Sequence, residues 1–438
     1  MKKKIFILEN GLKLITIQRK KLPITYIKLI VRSGAINEPL SRKGTSYLTA
    51  KLLNEGTKEK DSTAFAREVE KLGGDLTSKS GYSISTIEGD SLSDKFEALT
   101  GLIKELLTGA AFREKDLSRL KKQIKTGFLL RMQDPNYVSL YYFTKFMYKD
   151  YPLLSTLPEG TPESVEKIKR NEIIKFFKDH YTPTNSFIVV VSDIEGDRIA
   201  EIIHRALSGW IKEAIEKPKL EQIPDVTGPT LYIVDMDVTQ SHIKIGRHSI
   251  SRANPDYNSL RVANYILGGS DFSSRLMRKI RIEKGLAYSV YSSITPGYPT
   301  EPQPLRGSFY ISMETSTENT RKAFDLLLKE VKKFTIEGPS KEELEDAKSY
   351  YHGNIPLRSE TYEQLAVLAM DEELFGLPWK HWIKDVEEIE RLGRTKVQET
   401  ASKYLNLEHY VALIVGNAQK LLPQFKDLHP EVIKPRFI

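Results

Sequence analysis

The feature that most constrains this chain is a weak internal repeat. KELL at 104–107 returns about 225 residues later as KEVK at 329–332, and VEKI at 165–168 returns about 221 residues later as VEEI at 386–389. Tyr181 followed by SFIVVV corresponds to Tyr404 followed by HYVALIV. Each match is weak singly, but the same order at nearly one offset means a duplication. The copies are expected at 1–215 and 230–438, separated by 216–229, a linker with three prolines that ends in Thr-Gly-Pro.

Within the first copy, GLKLITIQ and ITYIKLIVR read as strands, and a helix follows from about Gly44 to Asn54, closed by Gly56. Asp61 offers an N-cap to a helix that aligns Phe65, Val69 and Leu72 on one face. Alternating runs at 75–80 and 82–88 make a hairpin, and a helix covers Ser93 to Leu107. Polar helices fill 113–132 and 163–179, before a buried strand at Phe187–Val191. The second copy repeats the order: strands at 230–236 and 240–249, a helix at 256–267, the strand Ser308–Met313 and a helix from Glu318 to Phe334. Runs of strands with helices between them, and no strict βαβ alternation, place the chain in the α+β class. Two homologous domains are expected, each a mixed or antiparallel sheet flanked by helices, facing each other as a clamshell.

A length of 438 residues exceeds one core, in keeping with two domains. With no cysteine, disulfides and thiolate metal sites are excluded. The net charge of +8 could attract nucleic acid, but the basic runs Lys2–Lys4, Arg19–Lys21 and Lys121–Lys125 are short, with no RNA-binding aromatic signature or zinc-finger spacing. They read as solvated faces, so no nucleic-acid partner is expected. The apolar run Ile5–Leu8 stops at Glu9, too short for a signal-peptide core, and no run has the length of a membrane span. The expected location is cytoplasmic for a full-length chain, or periplasmic if a leader has been removed.

One stretch carries chemistry. RLMRKIRIEKGLAYSVYS at 275–292 reads as a short helix, a turn at Gly285 and an alternating strand. The turn can bring Arg281 and Tyr288 to one point in space, where a guanidinium fork and a directional phenol suit a carbonyl oxygen or carboxylate. On spacing alone the plainer alternative is favoured: an Arg salt-bridged to a neighbouring acid and a Tyr half-buried in a sheet.

The whole arrangement resembles the pitrilysin or insulinase-like metallopeptidases, peptidase family M16. It is closest to the short two-domain members, with mitochondrial processing peptidase and the respiratory-complex core proteins as relatives. The resemblance rests on SGAINEP at 33–39, KGTSYLTAKLLNEGT at 43–57, LGG at 72–74 and RIEKGLAYSVYS at 281–292. It implies two domains around a chamber for an unfolded peptide. Active members carry His-x-x-Glu-His within the second of these stretches, two helical imidazoles for zinc and a carboxylate to deprotonate water. Here those positions read Tyr47, Ala50 and Lys51, and residues 120–132, where a further Glu is expected, contain no acid. The eight histidines (180, 204, 242, 248, 352, 381, 409 and 429) include no pair three or four apart. No metal ligand and no cofactor is expected in this chain.

The resemblance also implies a role for the Arg–Tyr pair, since active members place such residues, seven apart, against the substrate backbone near the scissile carbonyl. In two-chain bacterial members one subunit holds zinc and its partner supplies the pair. By that resemblance this chain is the non-zinc subunit, with Arg281 and Tyr288 as site residues. It is inactive alone, and its partners are a homologous zinc-bearing subunit and an unfolded peptide. Two alternatives stay open: a scaffold subunit like the core proteins, and a peptide- or nucleic-acid-binding module acting as a homodimer.

Overall fold

The computed structural model describes residues 1–211, 220–270 and 272–435. The first half forms a six-stranded sheet from β1 (Lys2–Ile7), β2 (Lys13–Gln18), β3 (Ile24–Val31), β4 (Leu76–Ser80), β5 (Ser85–Leu92) and β6 (Ser186–Ser192), in the order β1-β2-β6-β3-β5-β4. The second half forms another from β7 (Pro229–Asp235), β8 (Gln240–His248), β9 (Ser289–Ile294), β10 (Ser308–Ser316), β11 (Tyr410–Gly416) and β12 (Glu431–Ile433), in the order β12-β7-β11-β8-β10-β9. β2 pairs in parallel with β6, and β7 with both β11 and β12; the other neighbours are antiparallel. Five strands of one sheet thus repeat five of the other, in the same order and directions. The repeat in the sequence is a repeat of fold. Both sheets are mixed and flanked by helices, which is the α+β class expected.

The middle strands explain themselves chemically. SFIVVVS in β6 and YVALIVG in β11 are runs rich in β-branched residues and buried along their whole length, the pattern of strands covered on both faces. One face of each sheet meets helices of its own half. Leu48, Leu52, Leu99, Ile103 and Phe176 pack with Leu14, Ile27, Leu29 and Ile188 in the first half. Leu260, Ala263, Phe324, Leu327 and Val397 pack with Ile233, Ile243 and Ile311 in the second.

The other face is covered by exchange. The helix Pro135–Met147 leaves the first half and lies on the second sheet, where Val138, Tyr142 and Phe143 join Tyr232, Val234, Val411, Leu413 and Val415 in one cluster. Its Phe146 stacks on Tyr232 with centroids 3.8 Å apart and planes 2° from parallel. In return the helix Tyr362–Phe375 leaves the second half and lies on the first sheet, packing Leu365, Ala366 and Leu368 with Ile15, Ile17, Ile30 and Val189. The clamshell is therefore two sheets that each need a helix of the other. Neither of these helices, nor β1, was expected from the sequence.

Residues 216–219 of the expected linker lie outside the described residues. The part from 220 to 228 contains no helix or strand, yet it is not a free tether: Ile223 is 2% exposed, and the Tyr151 hydroxyl donates to the Glu221 carbonyl at 3.0 Å. A boundary at 216–229 remains a proposal. Among the described residues no helix is long and apolar enough to cross a membrane.

Candidate functional site: an Arg–Tyr pair at the core margin

Arg281 lies in a π-helical turn, Met277–Ile282, marked by the Glu283 amide donating to the Arg278 carbonyl at 2.9 Å. Such turns insert one extra residue and are frequent at functional sites. Here the turn keeps Leu276, Met277 and Ile280 in the core while Arg281 stands at its margin. Gly285, at φ +61°, reverses the chain. Leu286 and Ala287 are buried and pin the turn, the Thr315 hydroxyl donates to the Leu286 carbonyl at 2.5 Å, and the Tyr288 amide donates to the Glu314 carbonyl at 2.8 Å. The strand begins at Ser289, slightly later than the alternation predicts, with Val290 inward and Tyr291 outward.

This local folding brings the pair together. The Arg281 guanidinium carbon lies 5.6 Å from the centre of the Tyr288 ring and 5.3 Å from that of Phe272. Both rings lie within cation–π range of the guanidinium, which keeps its N–H donors for other partners. One of these reaches the Met277 sulfur at 3.9 Å, a weak acceptor, and no carboxylate among the described residues comes within ion-pair distance. Tyr288 is 69% exposed and its hydroxyl makes no hydrogen bond among the described residues. The plainer alternative of a salt-bridged Arg and a half-buried Tyr is therefore not what the structure has. Phe272, 65% exposed, adds a second aromatic ring beside Arg281, and Tyr291, 45% exposed, lies three residues along the chain from Tyr288. The sequence reading passed over both, although two large rings in an otherwise Ser-rich stretch were a usable signal.

The zinc-motif frame has a different fate. Thr45–Leu53 is a helix, and Lys51 lies over the Tyr47 ring at 5.5 Å while Ala50 is 1% exposed. A phenol, a methyl and an ammonium do not fit a zinc ion, which needs three or more nitrogen, sulfur or carboxylate donors. No step of the chemistry is assigned to a metal in this chain. The flanking residues are retained for structure. Glu38, 3% exposed, accepts from the backbone amides of Gly44 at 2.9 Å and of Ser46, holding the N-terminus of that helix. Lys43 is equally buried and donates to the carbonyls of Ala35 and Leu153 at 2.5 and 3.1 Å. Burial pushes the Glu38 carboxyl up to about 7.

Comparison with known proteins follows the same lines. Residues 13–154 match the profile described as Insulinase (Peptidase family M16), and residues 167–351 match that described as Peptidase M16 inactive domain. The chain is 28% identical over 402 residues to a Helicobacter pylori protein described as the non-peptidase homolog YmxG, covering 91% of this chain and 90% of that one. It is 22% identical over 414 residues to a Bacillus subtilis protein described as an uncharacterized zinc protease, covering 93% and 96% of the two chains. Among solved structures, a Pseudomonas fluorescens protein described as a peptidase M16 inactive domain superposes with a TM-score of 0.87 at 25% identity, over 95% of this chain and 98% of that one. The fold is thus that of the two-domain M16 proteins. The chain belongs to peptidase family M16, as a homologue whose zinc positions hold no zinc ligands.

Proposed function

We propose that the chain is the non-zinc subunit of a two-chain peptidase, which binds an unfolded peptide and holds the scissile carbonyl through Arg281 and Tyr288. The observation that carries this reading is the convergence of an exposed Tyr288 and a partly buried Arg281 whose polar donors have no strong partner among the described residues. Arg and Tyr are costly to leave unpaired in a packed interior, and a pair held side by side at the surface is suited to receive a ligand. During hydrolysis charge develops on the carbonyl oxygen. The Tyr288 hydroxyl and the Arg281 fork donate to that oxygen or hold the adjacent backbone. One preorganised donor of this kind typically contributes about 3–4 kcal/mol in the transition state.

Neither residue generates a nucleophile, because a neutral phenol and a guanidinium have no useful basicity near neutral pH. The attacking water and the zinc belong to a homologous partner that carries the intact motif. The chain alone is then inert. The test is to purify it alone, supply zinc and assay a quenched peptide: no turnover is expected, and chelator-sensitive turnover would overturn the reading. Co-purification from the native source identifies the partner as a chain with the intact zinc motif. A scaffold role, the second reading, predicts the same inertness, so the separating experiment is substitution of Tyr288 in the complex.

A further inference from the structure

The duplication lets the two sheets be compared position by position. Lys28 on β3 lies in register with Val189 on β6 and Glu88 on β5. Lys244 on β8 lies in register with Leu413 on β11 and Ser312 on β10. The two lysines hold the same place in the two copies, and each is 8% exposed. In the first sheet Lys28 forms an ion pair with Glu88, which Lys79 also contacts. In the second sheet the residue opposite the lysine is a serine. The Lys244 ammonium donates to Ser312 Oγ at 3.2 Å and lies 4.9 Å from the centre of the Tyr310 ring, with no carboxylate among the described residues at ion-pair distance. Burial lowers its pKa to about 8, only partly offset by the more distant Glu314 charge, the behaviour of a cation taken from water without a carboxylate in direct contact.

Its surroundings are not those of a core position. Lys244, Ser312 and Tyr291 form one row across β8, β10 and β9. They lie on the face opposite Ile243, Ile311 and Val290, which point into the core of that half. The Pro135–Met147 helix covers this face over β7, β11 and β8, whereas Tyr291 at the β9 edge is 45% exposed. The ammonium, bonded to Ser312, is directed toward that open end. The acid nearest along the strands is Glu314, one row away, and the His242 Nδ1 faces it at 3.6 Å.

The geometry points to Lys244, backed by Ser312, as a subsite for a carboxylate of the bound peptide, in the first place an acidic side chain. It rests on the peptide-binding reading above and adds a specificity to it. Rows and strand spacings put the Cα atoms of Lys244 and Tyr288 about 14 Å apart, close to four residues of extended chain. The favoured peptide therefore carries Glu or Asp about four residues from the carbonyl held by Arg281 and Tyr288.

The test uses the full chain and fluorescein-labelled, C-terminally amidated twelve-residue peptides without secondary structure, with Glu or Gln scanned through the positions and binding read by anisotropy. In one register the Glu peptide should bind about tenfold tighter than its Gln twin. That ratio should fall to near one in Lys244→Met. It should fall equally in Ser312→Glu, which keeps the lysine but supplies the carboxylate that the first sheet already tolerates at this place. A free C-terminus on the Gln peptide restoring the preference assigns the subsite to the chain end instead of a side chain, still through Lys244. A Glu preference untouched by both substitutions overturns the subsite while leaving peptide binding intact. Failure of the unsubstituted chain to bind any of these peptides overturns both.

Discussion

Exchange of helices between the sheets predicts that the two halves are one thermodynamic unit. Phe143 is the most direct probe, because it belongs to the first half by sequence and is 5% exposed against the second sheet, with its ring 6.1 Å from that of Tyr310. Truncation to Ala removes a buried aromatic ring from an interface that cannot collapse without moving a whole helix. Such truncations cost about 3–5 kcal/mol. With an unfolding entropy of about 2.1 cal/mol/K per residue, a chain of 438 residues has about 0.9 kcal/mol/K in all, so the cost appears as a fall of roughly 3–5 °C in Tm. Calorimetry should show one transition before and after substitution, displaced as a whole. Fluorescence of Trp210, buried in the first-half core, and far-UV circular dichroism of the whole chain should report coincident midpoints in urea. Two resolved transitions, or a loss below about 1 kcal/mol, would refute the reasoning.

Three further outcomes follow from other parts of the molecule. Glu38→Ala strands the Gly44 and Ser46 amides and leaves the buried Lys43 without its nearest carboxylate charge, so a loss of about 2–4 kcal/mol is expected in chemical denaturation. His248 is 6% exposed, and burial together with the Arg306 charge lowers its pKa to about 4. Because the folded state holds this proton less well than the unfolded one, its contribution is complete above the ordinary histidine range and is lost as pH falls toward 4. His248→Asn should therefore flatten the pH dependence of stability between about 6.5 and 4 by up to about 3 kcal/mol, measured as a difference from the unsubstituted chain. Arg281→Lys keeps the charge but loses the guanidinium's planar fork of donors beside Phe272 and Tyr288, and it should weaken peptide binding with Tm unchanged within about 1 °C.

Much of the fold was legible because the duplication constrains it twice. Strands such as ITYIKLIV and YVALIVG announce themselves through β-branched runs, and the helix at Ser93–Leu107 through its apolar spacing. What escaped was the partner of each sheet's second face. PNYVSLYYFTKFM packs aromatic rings on several sides, and YEQLAVLAMDEELF lacks one clean stripe, since each of these helices meets more than one neighbour. Periodicity reports a single buried face and is silent about helices buried more widely. KKKIFI reads as a charged, solvated start. It becomes a strand through pairing with β2, and its Lys3 contacts Glu372 on the exchanged helix. Arg281 and Tyr288 were legible as a pair because a short turn fixes their separation. Lys244 was not: in QSHIKIGRH it looks like any lysine on an outward face, and only its counterpart Lys28, with a carboxylate opposite, makes the difference visible.

The most direct measurement is kcat/KM for an unfolded peptide in the complex with a zinc-motif partner, for Tyr288→Phe against the unsubstituted chain. The substitution removes one exposed hydroxyl with no partner among the described residues and keeps the ring near Arg281, so stability and assembly should not change. A loss of about 10²–10³ in rate at unchanged assembly is the expected result, the usual effect of deleting one transition-state donor. An unchanged rate would contradict the account and leave this chain a scaffold.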